Sequence, residues 1–594
     1  MKWNKEQKKT VSTSLHDVRF ETLFFVISFI ALLLFIYSFI NKEHCIYYWD
    51  FANYWFKYRE LNELFSSEPV TALGEIIVSI RHSEYNLFPV SLLLPTGLLF
   101  GNSRLSFVLG NAIVFNFPTV ILFAYFFKTR IHEQLKSDSS RFGFILAVIC
   151  FGGFPQLWVP VLCGYLGAGG LFLAIWVLTI YSRRPLASQP YTSILTMALL
   201  LSLMVVFRRW YAYWVVGFLF SITVVEFILL AKTYRLHFRE YFPVMVRLFM
   251  LGGGSFGVFL LLATPQAIQM LTTDYGDIYS GYKTLSSFVD ILNTLNYFFG
   301  PLTLFTAGFG ALFVLSHHTR NTKIAAVLFF QFWFSLILFT NTQNMGYHHN
   351  YILLPSLLFF ACYFWTVLVT AVKNKMSRIV CLITVVFLLM VNFSIVLSPP
   401  VAKTLQKVDI VFPQLRYFPR NRTDLEEIQS ILNYIDGKNL TKDDQVYVLA
   451  SGYILNDDIL IKGCKTAKEQ YSFCDSLATS AHVDKRDGLP LNIFQSKYII
   501  TTDPVQIHLA EKDQQVITIL RTLLINHDGF GHNFKKLDVE FKLEDNVRVL
   551  VYQRINKKFA RKDLKDLSQI FMTLYPSYRE KFTIPSAFLK QITE

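Results

Sequence analysis

Charge is scarce in this chain: Asp, Glu, Lys and Arg together make up 16% of 594 residues, against 53% hydrophobic and 16% aromatic. No ordinary soluble core uses that much apolar side chain, so a soluble enzyme is excluded. Cysteine is sparse too, seven in all, and no Cys/His spacing suits a zinc site. The sequence has no internal repeats, so the paired half-sequences expected of a transporter are missing. It also lacks long apolar runs after Leu397. A polytopic α-helical membrane domain is therefore followed by nearly 200 residues of ordinary polarity.

The first apolar run, Leu23 to Ile40, has no small-residue cleavage site behind it and reads as a retained helix. Ahead of it, residues 1–20 carry Lys2, Lys5, Lys8, Lys9 and Arg19 against Glu6 and Asp17, which places this segment in the cytoplasm. Residues 41–104 then form a large outer loop. Within it Leu87 to Phe100 is apolar but too short, with two prolines, to cross about 30 Å of hydrocarbon. It reads as a juxtamembrane or re-entrant helix. Further spans are expected near 105–127, 142–156, 165–181, 191–207, 211–231, 243–263, 297–315, 324–340, 351–372 and 379–397, about eleven in total. The expected inner loops are basic (Lys128, Arg130, Lys136, Arg141; Arg183, Arg184; Lys232, Arg235, Arg239; Arg320, Lys323; Lys373, Lys375, Arg378), whereas outer loops 157–164 and 341–350 hold no Lys or Arg. Residues 21–397 thus make the membrane domain, and 398–594 an extracytoplasmic α/β domain.

The formal charge of +14 belongs mainly to the membrane part, with 28 basic and 17 acidic residues up to Leu397 and 28 and 25 beyond it. That is a topology signal and speaks against a nucleic-acid partner. Cys150, Cys163, Cys362 and Cys381 fall in or beside spans and read as apolar packing. Cys464 and Cys474 lie where a disulfide is permitted; a bond and two free thiols both remain open. In the tail, Gln445 to Ala450 and Lys497 to Thr501 read as buried strands, His508 to Ile525 as an amphipathic helix, and Leu537 to Leu543 with Val547 to Arg554 as a hairpin. Asp457, Asp458, Asp484 and Asp487 read as caps and turns.

Chemistry concentrates in the stretch Cys45 to Tyr58, where one carboxylate, Asp50, stands among Tyr47, Tyr48, Trp49, Phe51, Tyr54, Trp55 and Phe56. Tyr and Trp belong at a membrane interface by virtue of an apolar ring and a polar tip. The acid reads either as a solvated residue of an interfacial helix or as an active-site carboxylate at headgroup level. Arg208 and Arg209, with Trp210 and Tyr211, interrupt two apolar runs; adjacent guanidinium groups there call for an anion, and phosphate matches their planar fork. His348 and His349, ahead of Tyr351, suit a phosphate or a metal, or a helix cap. Arg81, His82 and Glu84 precede the short helix; Asp274, Asp277, Tyr282 and Lys283 occupy a later loop and read mostly as solvated charge.

The chain resembles the GT-C glycosyltransferases. The features that carry the resemblance are the aromatic-flanked Asp50, a YN-x-x-P element (Tyr85, Asn86, Pro89), G-x-S-R-L (Gly101, Ser103, Arg104, Leu105), His-x-x-Tyr (His348, Tyr351) and the outer C-terminal domain. It is most similar to the protein O-mannosyltransferase and lipid A aminoarabinose-transferase branch and its bacterial multi-span relatives. The resemblance implies transfer of a sugar from a polyprenyl-phosphate donor to a cell-envelope acceptor on the outer face of the bilayer. Asp50 then matches the catalytic base and Glu84 a further acidic position, while Arg208 and Arg209 match a lipid-phosphate site. Trp49, Tyr54, Arg81, Tyr211, His348, His349 and Tyr351 are the other expected contacts to lipid phosphate or sugar. No cofactor is implied with certainty, and a divalent cation remains open. One departure stands out: the outer loop that often holds an acid in relatives reads Gly164-Tyr165-Leu166-Gly167, so either another acid such as Glu84 or Asp274 substitutes, or activity is lost or altered. The alternatives are a transporter or flippase of lipid-linked sugars, and a non-catalytic scaffold.

Overall fold

The computed structural model describes residues 3–132, 137–234, 238–285, 287–316, 321–407, 409–441, 443–467 and 471–593. Lys2, Lys136, Arg235 and Arg320 lie outside the described residues, as do the side chains of residues 3–20 and Arg141. Two compact units emerge. One comprises Met1–Lys42, Asn53–Thr273 and Leu285–Pro419, the other Glu43–Ala52, Asp274–Thr284 and Arg420–Glu594.

The first unit is helical, as an apolar chain must be where only intra-segment hydrogen bonds satisfy the backbone. Among the described residues, nine helices are long and apolar enough to cross a membrane: Glu21–Ile40, Arg104–Ile131, Gly143–Cys163, Tyr211–Thr233, Arg239–Thr272, Phe288–Ser316, Thr322–Thr340, Leu354–Ala371 and Lys375–Leu397. The two other expected spans are the shorter apolar helices Ala168–Tyr181 and Tyr191–Phe207. Leu87 to Phe100 does not form one span. It folds as Phe88–Ser91 and Leu94–Phe100, each with a proline in its first turn, where the missing N–H costs nothing. Apolar side chains such as Leu261, 82% exposed, coat the outside of the helices and suit a lipid-facing surface.

Two helices bend for identifiable reasons. Phe238–Thr272 leaves helical geometry at Ala263, within the turn preceding Pro265, because a proline inside a helix removes an N–H from the ladder and its ring clashes with the preceding turn. Phe288–Ser316 breaks at Gly300, whose φ is +73° and which precedes Pro301. A β-carbon there would meet the backbone nitrogen of Pro413 at 2.4 Å, so only glycine fits. Charge inside this unit is paired: buried Glu226 bonds Lys323 at 2.5 Å and accepts from the Tyr181 hydroxyl at 2.9 Å, which removes most of the cost of an isolated carboxylate.

The second unit is built on a five-stranded sheet, β1 (Val446–Leu449), β2 (Leu477–Ala478), β3 (Tyr498–Asp503), β4 (Phe534–Lys542) and β5 (Arg548–Arg554), in the order β2-β1-β3-β5-β4. β1 runs parallel to β2 and β3; β5 is antiparallel to β3 and β4. Successive residues of a strand face opposite sides. Val446, Val448, Tyr498 and Ile500 pack with Ile428, Ile431 and Leu460 on one face. On the other, Tyr447, Leu449 and Ile499 pack with Val516, Leu520, Leu564 and Phe571. Strands covered on both faces read as continuous apolar runs, which is why Gln445 to Ala450 is legible.

The expected helix at His508 starts later, at Gln515. The Gln514 side chain accepts from the backbone N–H groups of His508 and Leu509, both at 2.8 Å, and holds those residues in a loop. Cys464 and Cys474 are joined by a disulfide. Residues 43–52 are an integral part of this unit. Tyr48 is in its core, His44 pairs with Asn421 as a bridge, and the Arg420 guanidinium lies 3.7 Å from the centre of the Phe51 ring.

Candidate functional site

In the helical unit, the chain leaves the helix Tyr191–Phe207 at Arg208, which is extended, and re-enters a helix at Tyr211. The freed helix end is held by Asn86 of the YN-x-x-P element, whose amide donates to the Val206 carbonyl at 2.8 Å. Arg208 is 6% exposed. Its guanidinium donates to the Tyr54 hydroxyl and lies 4.8 Å from the Tyr54 ring and 5.2 Å from the Tyr85 ring, a cation–π setting suited to a desolvated Arg. Arg209 turns to Glu84, Nη1 to Oε2 at 2.5 Å. Glu84 is thus an ion-pair partner of the arginine loop.

The His-His segment closes on the same residues. His348 stacks on Tyr165 at 4.1 Å and lies 4.0 Å from His349, while Trp210 is 5.7 and 5.6 Å from the two imidazoles. Burial, then the nearby arginines, push His349 down to about 3; burial, then His349 and Arg208, push His348 well down. Both rings are therefore neutral. His349 Nδ1 accepts from the Gly346 N–H at 2.9 Å, which assigns its proton to Nε2. Two buried polar atoms beside Arg208 have no hydrogen-bond partner, His348 Nδ1 and Trp210 Nε1.

Tyr211 and Tyr351 use their hydroxyls on the backbone, donating to Gly167 at 2.7 Å and Leu157 at 2.8 Å. Gly167 packs against Tyr351 and Trp210, with no room for a β-carbon between them. The absence of an acid in that loop therefore has a local cause: the space is taken by rings. In G-x-S-R-L, Ser103 caps the helix Arg104–Asn111 and Arg104 donates to the Leu162 carbonyl at 3.1 Å. Arg81 is exposed in the last turn of Pro69–His82.

In the second unit, Asp50 opens the helix Asp50–Ser67. The preceding residue, Trp49, has φ +48°, an uncommon conformation for a bulky side chain. It is held there from both ends. Its backbone N–H donates to Asp458, and its ring lies 4.7 Å from His508, 5.4 Å from His482 and 5.7 Å from Tyr453. Tyr453 and its neighbour Ser451 follow the carboxyl end of β1, His482 that of β2 and His508 that of β3. In α/β sheets such ends form the usual binding crevice.

Hydrogen bonds join them in a file. Asp457 bonds His482 Nε2 at 2.9 Å, His482 Nδ1 lies 2.7 Å from Ser451 Oγ, Ser451 Oγ is 3.0 Å from His508 Nδ1, and His508 Nε2 is 2.8 Å from the Tyr282 hydroxyl. Burial pushes His508 down to about 4, against the pull of the Ser451 backbone bond. Burial also lowers His482, but the bond to Asp457 outweighs it and leaves that ring above its usual value. The Tyr282 phenol is pushed up, chiefly by burial, with the charge of Asp50 contributing in the same direction. Asp274 caps the helix Tyr275–Ile278 through the Asp277 N–H, and Asp277 bonds Lys485 at 2.5 Å and Tyr578 at 2.6 Å.

Ser451, His482 and His508 were not legible in the sequence; the signal available was their place just after buried strands. Trp210 stood in the Arg208-Arg209-Trp210-Tyr211 segment but was not among the expected contacts. Among the described residues, no group of three or more His, Cys, Asp or Glu is arranged to hold a metal ion.

Neither a protein-family profile nor a curated protein matches the chain. Among solved structures, the chain is similar to ArnT from Cupriavidus metallidurans bound to undecaprenyl phosphate, with 12% identity and a TM-score of 0.46 over 89% of this chain and 98% of that one. It is similar to the same protein in the apo state at 11% identity and the same TM-score and coverage.

Proposed function

We propose that this protein is a membrane glycosyltransferase that moves a sugar from a polyprenyl-phosphate donor to a cell-envelope acceptor. The observation that carries the reading is the cluster of polar groups around Arg208. A buried guanidinium, an indole N–H without a partner and a neutral His348 stand together where an anion would complete them. Hydrogen bonds to a phosphate are strongest from such desolvated donors.

In this reading the acceptor hydroxyl attacks the anomeric carbon of the donor. The bond from that carbon to the phosphate oxygen breaks, Asp50 takes the hydroxyl proton as general base, and the charge left on the lipid phosphate is met by Arg208 and Trp210. Glu84 keeps Arg209 in place through their ion pair. The Cys464–Cys474 disulfide supports an extracytoplasmic position for the C-terminal domain, since such bonds persist in oxidising compartments.

The test is transfer from a panel of synthetic polyprenyl-phosphate sugars to an envelope extract, with purified protein and its Asp50→Asn and Arg208→Ala variants. Label leaving the lipid with wild type, lost with Asp50→Asn and shifted to higher donor concentration with Arg208→Ala, is the expected outcome. Lipid binding without release by wild type would sink the transferase reading and favour a carrier of lipid-linked sugars.

A further inference from the structure

The segment Asn556 to Lys565 carries five cations, Lys557, Lys558, Arg561, Lys562 and Lys565. All five are exposed, and none forms an ion pair among the described residues. Lys535 and Lys536, exposed at the start of β4, come to the same end of the sheet, because Phe534 pairs with Arg554 at the close of β5. The acids of the segment are Asp563, 3.9 Å from His532 Nδ1, and Asp566. This placement of charge costs stability. Arg561 and Lys562 stand in the first turn of the helix Arg561–Leu574, where a cation opposes the helix dipole, and Lys565 follows one turn later as a like charge. The backbone beneath is fixed all the same. The Arg554 guanidinium donates from Nε to the Asn556 carbonyl and from Nη1 to the Phe494 carbonyl, both at 2.9 Å, and from Nη2 to the Lys557 carbonyl. It lies 4.7 Å from the centre of the Phe559 ring, and the Phe559 N–H donates to the Ile592 carbonyl at 2.9 Å. The loop before the helix is thus held, and Lys557 and Lys558 are presented without the ordering cost of a loose chain.

Unpaired charge of one sign at this density calls for a partner of the opposite sign. Arg561, Lys562 and Lys565 advance along the helix by about 6 Å, and the two loop lysines precede them, so the cations make a stripe and not a cage around a single ion. Phe559 and Leu564, which lie between them, are fully buried, and Ile555 alone adds a large exposed apolar side chain beside the stripe. The face therefore offers charge, with little to insert into a bilayer. The Cys464–Cys474 disulfide in the same domain fits an oxidising compartment and points away from nucleic acid. We propose that this stripe is a docking surface for a polyanion of the cell envelope whose backbone carries phosphodiester groups. Such groups stay ionised and accept strong hydrogen bonds from Lys and Arg. Successive phosphates meet successive cations, so affinity grows with chain length. The surface is separate from the proposed sugar transfer, and the roles of Asp50 and Arg208 do not enter.

The test uses full-length protein in nanodiscs of phosphatidylcholine, which carry no net charge. Synthetic poly(glycerol phosphate) is titrated in by calorimetry; glycerol phosphate at the same phosphate concentration and vesicles containing phosphatidylglycerol are the other arms. Wild type should bind the polymer, bind the monomer far more weakly, and lose affinity as salt rises, since bound cations displace counterions from the polymer. Combining Lys557→Gln, Lys558→Gln, Lys562→Gln and Lys565→Gln should weaken binding by about fivefold for each charge removed, the scale of one cation at an anionic surface, and flatten the salt dependence. That variant should melt no lower than wild type, because the helix loses only unfavourable charge. The corresponding set of Lys→Arg changes should keep the affinity. No polymer binding by wild type, equal binding by the Gln variant, or tighter binding to the vesicles than to the polymer would overturn the proposal. Sugar transfer is no part of the readout, so loss of the transferase reading leaves this result standing.

Discussion

A β-carbon on Gly167 would lie 2.7 Å from the Tyr351 ring and 3.3 Å from Trp210. Gly167→Asp, which would place a carboxylate in the loop Gly164-Tyr165-Leu166-Gly167, is therefore expected to displace Trp210 and Tyr351. Overpacking of this kind costs about 1–3 kcal/mol. Thermal unfolding of the purified variant should occur at lower temperature, with donor binding weakened. A gain in transfer at unchanged stability would contradict the packing argument.

On the proposed reading, removing donors around Arg208 should weaken binding of a polyprenyl phosphate in a graded way. Arg208→Lys keeps the charge but loses the planar fork and its place over Tyr54 and Tyr85, and Trp210→Phe removes one N–H. Each is expected to weaken binding of a polyprenyl phosphate about tenfold, the scale of one hydrogen bond to a charged group. Isothermal titration into nanodiscs measures this, and equal affinity in wild type and Arg208→Lys would contradict it.

The Asp457–His482 pair predicts a sign for pH dependence. His482 has a folded-state pKa above its ordinary value, so the folded protein holds the proton more tightly than the unfolded chain does. That contribution is fully present below about pH 6.5 and is lost as pH rises through the folded value. The difference in melting temperature between wild type and Asp457→Asn should therefore be larger at pH 6 than at pH 9. A difference independent of pH would remove the ion pair as its source.

The Cys464–Cys474 bond closes a short loop, with a sequence separation of 10, between the helix Asp457–Thr466 and the turn at Cys474–Ser476. Replacing both cysteines by alanine should destabilise the domain by about 2–3 kcal/mol, the cost of reopening a loop of that length. Differential scanning calorimetry with and without reductant reports it: the reductant should shift wild type and leave the double variant unmoved.

Much of the architecture could be read from the chain because its causes are local. Each expected apolar run became a helix, but Leu87 to Phe100, expected as one short juxtamembrane or re-entrant helix, is two, each with a proline in its first turn. The strands at Val446–Leu449 and Tyr498–Asp503 announced themselves by being apolar throughout. Asp50, Arg208 and the His348-His349 pair stood out because charge amid apolar sequence is conspicuous. The Ser451–His482–His508 file did not, since its members lie 31 and 57 positions apart from Ser451 and meet only through parallel strand pairing. The late start of the helix at Gln515 was equally hidden, because a side chain three-dimensionally close to two N–H groups competed with the helix for them.

Residues 43–52 belong to a body whose remaining parts are made much later: His44 meets Asn421, 377 positions downstream. During synthesis at about 5–20 residues per second, that interval lasts on the order of tens of seconds. Through it the segment bearing Asp50 has emerged while its cradle does not yet exist. A nascent chain that has not yet reached Asp458, His482 and His508 therefore carries Asp50 without the residues that hold its neighbour Trp49 in place.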